Sequence, residues 1–138
     1  MSSGALRTVG SFLDQMGVKY TLDADKGLIL SNWAIEDKPF TVGVWAAGPW
    51  LIIRGYILPK TMIPEEKELQ LYKELLNTHY NLAEVRYDID EEGNIGTTQS
   101  IPLEGLNIST FQSEFNAVLY AIKFFLTEIA EKLGIEIV

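Results

Sequence analysis

Apolar residues recur along this chain with two distinct periods. Leu6, Val9, Phe12, Leu13 and Met16 fall three or four residues apart, and Gly17 follows as a stop. That spacing predicts an amphipathic first helix over about residues 3–17. Tyr20–Leu22 and Gly27–Trp33 then read as a hairpin around the turn at 23–27, followed by strands at Phe40–Trp45 and Trp50–Ile57. Pro64 suits the first turn of a second helix, and Glu65, Glu66 and Glu68 suit the positive end of its dipole. Leu69, Tyr72, Leu75, Leu76 and Tyr80 are predicted to be its buried stripe, with fraying near Asn77. Ala83–Asp90 and Ile95–Ile101 form another predicted hairpin around 91–94. A final helix of about 25 residues follows, with Ser109 and Gln112 at capping-box spacing and Gly134 closing it. Helix, antiparallel strand meander, helix, β-hairpin and long C-terminal helix make an α+β fold with helices packed on an antiparallel sheet. No repeat or linker divides residues 1–138, which read as one domain.

Two segments carry more apolar surface than a simple layer needs. From Phe40 to Ile57 the only charge is Arg54, and Gly48-Pro49 marks a tight turn. Antiparallel strands usually alternate a dry face with a wet one. Here Trp50, Ile52, Arg54 and Tyr56 share one face while Leu51, Ile53, Gly55 and Ile57 share the other. Both faces therefore call for cover. The last helix poses the same question: Phe111, Phe115, Val118, Leu119, Ile122, Phe125, Leu126, Ile129 and Leu133 form a broad core stripe, while Ala117, Tyr120, Ala121 and Phe124 form a smaller one nearly opposite. Helix one or a loop could pack on that smaller stripe, or it could meet a partner. Trp45, Trp50, Ile52, Arg54 and Tyr56, together with Ala117, Tyr120, Ala121 and Phe124, are the candidate partner or dimer surfaces, because large homodimer interfaces are aromatic-rich and resemble a divided core.

Charge and composition narrow the partners. Eleven Lys and Arg against nineteen Asp and Glu leave a net charge of -8, and the basic residues are scattered singly. Nucleic acid and anionic membranes both require clustered positive charge, so neither is expected. The chain has no cysteine, which removes disulfides, thiolate metal sites and thiol nucleophiles. The opening residues lack a signal-peptide apolar run, and the longest apolar stretch is interrupted at Gly48-Pro49, so a cytoplasmic location is expected.

Little catalytic chemistry is written in the chain. His79 is the single histidine and has no second imidazole or thiol to share a metal or activate a nucleophile, so it reads as a surface or core histidine. Asp88, Asp90, Glu92 and Gly93 imitate half of a calcium loop, but Gln99 stands where a bidentate Glu is needed, and a hairpin turn explains them better. Asp23, Asp25 and Gly27 form a second acidic turn of the same kind. No nucleotide-binding or hydrolase motif is present, and no cofactor or metal is expected. Gly43, Gly48 and Gly55 suit turns, bulges or close strand packing. Arg54 either runs to the rim as a structural residue or anchors a partner's carboxylate.

The segment from Leu75 to Phe125, with Leu75-Leu76-Asn77 ending a helix, the acidic turn at Asp90 to Gly93, a strand ending in Ile101-Pro102-Leu103 and a long final helix, resembles the second half of YbjN-type proteins and their type III secretion chaperone-like fold. GVKYTLDADKGLILSNW is similar to the first strands of that family. The resemblance implies a homodimer whose business is binding, as in secretion chaperones that hold effector segments, and it carries no catalytic motif. The expected function is a non-enzymatic protein-binding module, chaperone-like or regulatory, partnered by itself and by a client or regulatory protein. The alternative is a small-molecule-binding regulator with an aromatic pocket near Trp45, Trp50 and Arg54.

Overall fold

A computed structural model describes residues 2–137, and side-chain environments from residue 4 to 137. Helix α1 runs Ser2–Gln15, followed by strands β1 Thr21–Asp23, β2 Leu28–Ile35, β3 Lys38–Ala47 and β4 Trp50–Leu58. Helix α2 spans Glu68–Asn81, strands β5 and β6 span Tyr87–Ile89 and Ile95–Pro102, and helix α3 begins at Ile108. All strand pairs are antiparallel in one six-stranded sheet ordered β1-β2-β3-β4-β6-β5.

The core lies on one side of that sheet. Ile29 of β2, Val42 and Val44 of β3, Leu51 and Ile53 of β4, and Ile95 and Ile101 of β6 are buried there. Against them α1 sets Leu6, Val9 and Leu13, and α3 sets Phe111, Phe115, Val118 and Ile122. Rings knit the layers: Phe12 of α1 meets Phe111 at 5.7 Å between centroids, and Trp33 of β2 meets Phe115 at 5.8 Å. Helix α2 sits on the same side, its His79 ring stacked on Tyr87. Gly55 sets how closely α3 approaches: a Cβ built there would lie 2.8 Å from Ile122 and 2.9 Å from Val118.

Several elements differ from the sequence reading, each for a local reason. Pro64 caps a short 3-10 turn at Glu65–Lys67, so α2 proper starts at Glu68 and runs unfrayed to Asn81. Its buried side is Leu71, Leu75 and Thr78, while Leu69, Leu76 and Tyr80 point to solvent, Tyr80 at 87% exposure. Apolar residues occupy both sides of α2, and sequence period alone cannot say which side the sheet will take. Ala83–Arg86 is not strand, since Glu84 adopts a left-handed φ of 69° that breaks extended pairing. The last helix is capped by Asn107, whose side chain accepts from the Thr110 amide, and not by Ser109. It continues through a π-helical stretch at Phe125–Ala130 and a last turn at Glu131–Leu133, and Gly134 ends it at φ 67°.

Candidate functional site

The other side of the sheet has no helix over it among the described residues. Register defines its rows: Leu28 lies beside Trp45, Trp45 beside Ile52 and Ile52 beside Ser100. The next row runs Leu30, Gly43, Arg54 and Thr98. Trp50 is 46% exposed and Tyr56 is 44% exposed, while Trp45 and Ile52 are half-buried by their neighbours. The structure thus gathers all five strand candidates, Trp45, Trp50, Ile52, Arg54 and Tyr56, on one open face. Side-chain alternation predicts that grouping, and the placement of every helix on the opposite side leaves it bare.

One ion pair crosses this apolar face. Arg54 Nη1 donates to Asp88 of β5 and, at 3.0 Å, to the Thr98 hydroxyl, which in turn donates to the other Asp88 oxygen at 2.6 Å. The guanidinium also lies 5.6 Å from the Tyr56 ring centroid. Its Nη2 is buried without a hydrogen bond, seated where a Cβ on Gly96 would stand only 2.5 Å away. Arg54 therefore neither runs to the rim nor waits for a partner's carboxylate, because Asp88 already holds it. Removing the carboxylate should cost more than removing both charges: Asp88→Ala is expected to lose about 2 kcal/mol by leaving a desolvated guanidinium, and adding Arg54→Met should recover most of it. Urea unfolding of the two variants checks this, and equal losses would contradict it.

The smaller stripe on α3 is divided by the fold. Ala121 is fully buried, and its carbonyl accepts the Tyr87 hydroxyl at 2.7 Å, so it faces the core. Tyr120 is 52% exposed and pairs with Phe124 at 6.1 Å between centroids, with Ala117 half-buried nearby on the helix. A surface absent from the sequence reading adds to this one: Leu69, Leu76 and Tyr80 line the outer side of α2. Their helical spacing is visible in the sequence, where period alone groups them with the buried Leu75.

Titratable groups in the site are held in ordinary roles. The Asp90 carboxylate accepts the Asn94 and Glu92 amides, which lowers its pKa and closes the β5–β6 turn. Lys60 and Glu68 pair at 2.6 Å; that hydrogen bond raises the lysine and lowers the glutamate. Among the described residues no group of three or more His, Cys, Asp or Glu could hold a metal ion. A groove of about 510 Å³ opens beside Tyr56, lined by Thr41, Pro59, Met62 and Asp90. Trp45, Trp50 and Arg54 do not line it, whereas Tyr56 and Thr41 do, so the groove meets the aromatic face only at its Tyr56 edge.

A two-layer α+β protein with three helices on one side and an uncovered aromatic sheet face on the other is the class these observations define. Solved structures share the arrangement. A chain of the ExsC–ExsE complex matches with a TM-score of 0.65 at 16% identity, covering 94% of this chain and 96% of its own. A chain of the HopA1–SchA chaperone–effector complex matches at 0.58 and 24% identity, over 85% and 88%. YbjN from E. coli matches at 0.64 and 11% identity, over 88% and 90%. The fold is thus one shared by YbjN and by the type III secretion chaperone SycH. No family model and no curated protein matches the sequence.

Proposed function

We propose that this chain is a non-enzymatic, chaperone-like or regulatory protein-binding module that works as a cytoplasmic homodimer, with the open sheet face closed by a second copy. The observation that carries the reading is the bare face itself, where Trp45, Trp50, Ile52 and Tyr56 sit with the internally neutralised Arg54–Asp88 pair, and Asp23 stands only at its β1 edge. Six strands about 4.8 Å apart and eight residues of about 3.3 Å make a face of roughly 25 by 25 Å, near the half-interface of a standard dimer. Charge favours a second copy there. A protein of net charge -8 repels itself, and the centre of this face, where Arg54 cancels Asp88 and Asp23 lies out at the β1 edge, is a place where two copies meet at little electrostatic cost. The complexes formed by similarly folded chains, one of them a chaperone with its effector, support a protein client. No described helix is long and apolar enough to cross a membrane, which is compatible with this setting.

The exposed side of the helical layer, with Tyr120 and Phe124 on α3, is left for the client. Tyr120→Glu with Phe124→Glu should therefore keep both the fold and the dimeric mass. Light scattering on this variant beside the unaltered protein tests the assignment: a halved mass would move the dimer contact to the helices, and unfolding would make the pair core. A metabolite that raises the melting temperature by binding the groove beside Tyr56 would instead favour the small-molecule reading.

A further inference from the structure

His79 makes a contact that none of this uses. It lies near the C-terminal end of α2, and its Nε2 accepts the backbone N–H of Tyr87, the first residue of β5, at 2.8 Å. The ring planes of His79 and Tyr87 are 10° apart with centroids at 6.0 Å. Tyr87 is itself buried and donates its hydroxyl to Ala121 of α3. One imidazole thus fastens the start of the outermost strand to α2, and that strand has only three residues in ladder register with β6.

The bond requires a particular protonation state. Nε2 can accept an N–H only while it carries no proton, and a protonated ring has donors at both nitrogens and no acceptor. We propose that His79 is an acid-sensitive latch: protonation turns its Nε2 from an acceptor into a donor facing the Tyr87 amide, and releases the N-terminal end of β5 from α2. The latch closes on neutral imidazole and opens in acid. The Arg86 carbonyl stays held by the Thr97 hydroxyl and the Thr98 amide, so release frees the Tyr87 amide and the α2 contact while β5 remains paired with β6.

Other titratable groups stand on the elements around the ring. Helix α2 carries Glu74 and Tyr80, the connection to β5 carries Glu84 and Arg86, β5 carries Tyr87 and Asp88, and α3 carries Tyr120. Asp88 is engaged by Arg54, and burial pushes the Tyr87 hydroxyl far up, so it stays neutral. Glu114, raised by desolvation and then by Glu84, holds its proton more firmly in the fold than out of it, so acid acting there tightens the structure. Glu84 shares the connection with the latch, and its carbonyl is held by Gln99.

The test is residue-resolved amide exchange of Tyr87 at about pH 7.5 and about pH 5.5, corrected for intrinsic rates, in the full chain and in His79→Gln, whose amide oxygen can accept but cannot titrate in this range. Protection of Tyr87 should fall roughly fivefold to tenfold in acid in the unaltered protein and stay level in His79→Gln. An equal fall in both proteins overturns the latch, as does no fall in the unaltered protein. The ring nitrogen shifts of the single histidine give an independent reading. They must move over the same pH interval as the Tyr87 amide signal, and separate intervals would also overturn it.

Discussion

Gly55→Val should destabilise the fold by about 3 kcal/mol, and Gly55→Ala by about half as much. The position lies mid-strand in β4, where the α3 side chains Ile122 and Val118 come within 3 Å of the site a Cβ would occupy. Thr97 of the neighbouring strand closes the third side at 3.2 Å. Neither α3 side chain can swing away cheaply, because both are fully buried. The helix would have to lift from the sheet, and the Phe111–Phe115 layer would lose contact along with it. Urea denaturation with the slope compared between variants measures this. A valine variant as stable as the unaltered protein would mean that α3 has freedom the packing does not show.

The second large effect concerns association. Trp50→Glu with Ile52→Glu places two carboxylates on the bare face, and four across a twofold contact, while touching no intrachain core. The variant should run as a folded monomer at concentrations where the unaltered protein is dimeric, with apparent affinity weakened at least about a hundredfold. Its unfolding free energy, measured at monomer-favouring dilution, should stay within about 1 kcal/mol of the unaltered protein's. Loss of fold would show that the face is sealed from within.

Most of the architecture was legible because period carries it. Apolar runs between turn signals place strands at 27–33, 40–45 and 50–57, within two residues of the observed 28–35, 38–47 and 50–58 at each end, and helical spacing gives the α3 core stripe. The fold class and the resemblance to YbjN and the secretion chaperones came from turn spacing, and the similarly folded structures bear both out. What the chain did not disclose were choices made by tertiary contact. Helix α2 is apolar on two sides, and the side holding Leu71 and Leu75 won because the core formed there, leaving Leu69, Leu76 and Tyr80 outside. Ala121 has the spacing of an outer stripe, yet it is fully buried where Tyr87 packs against α3. Arg54 read as a lone charge because Asp88, 34 residues away, is brought to it only by the pairing of β6 with both β4 and β5. The bare face was half legible: alternation grouped its residues, whereas their exposure depends on all three helices sharing one side.

The absolute solution mass of the unaltered protein, measured by light scattering across a dilution series, decides whether a second copy closes the bare face. The account predicts a mass of twice 15.5 kDa that persists on dilution and gives way to the monomer only in the Trp50→Glu, Ile52→Glu variant. A mass of 15.5 kDa at every concentration would contradict it, leaving the aromatic face to a partner other than a second copy.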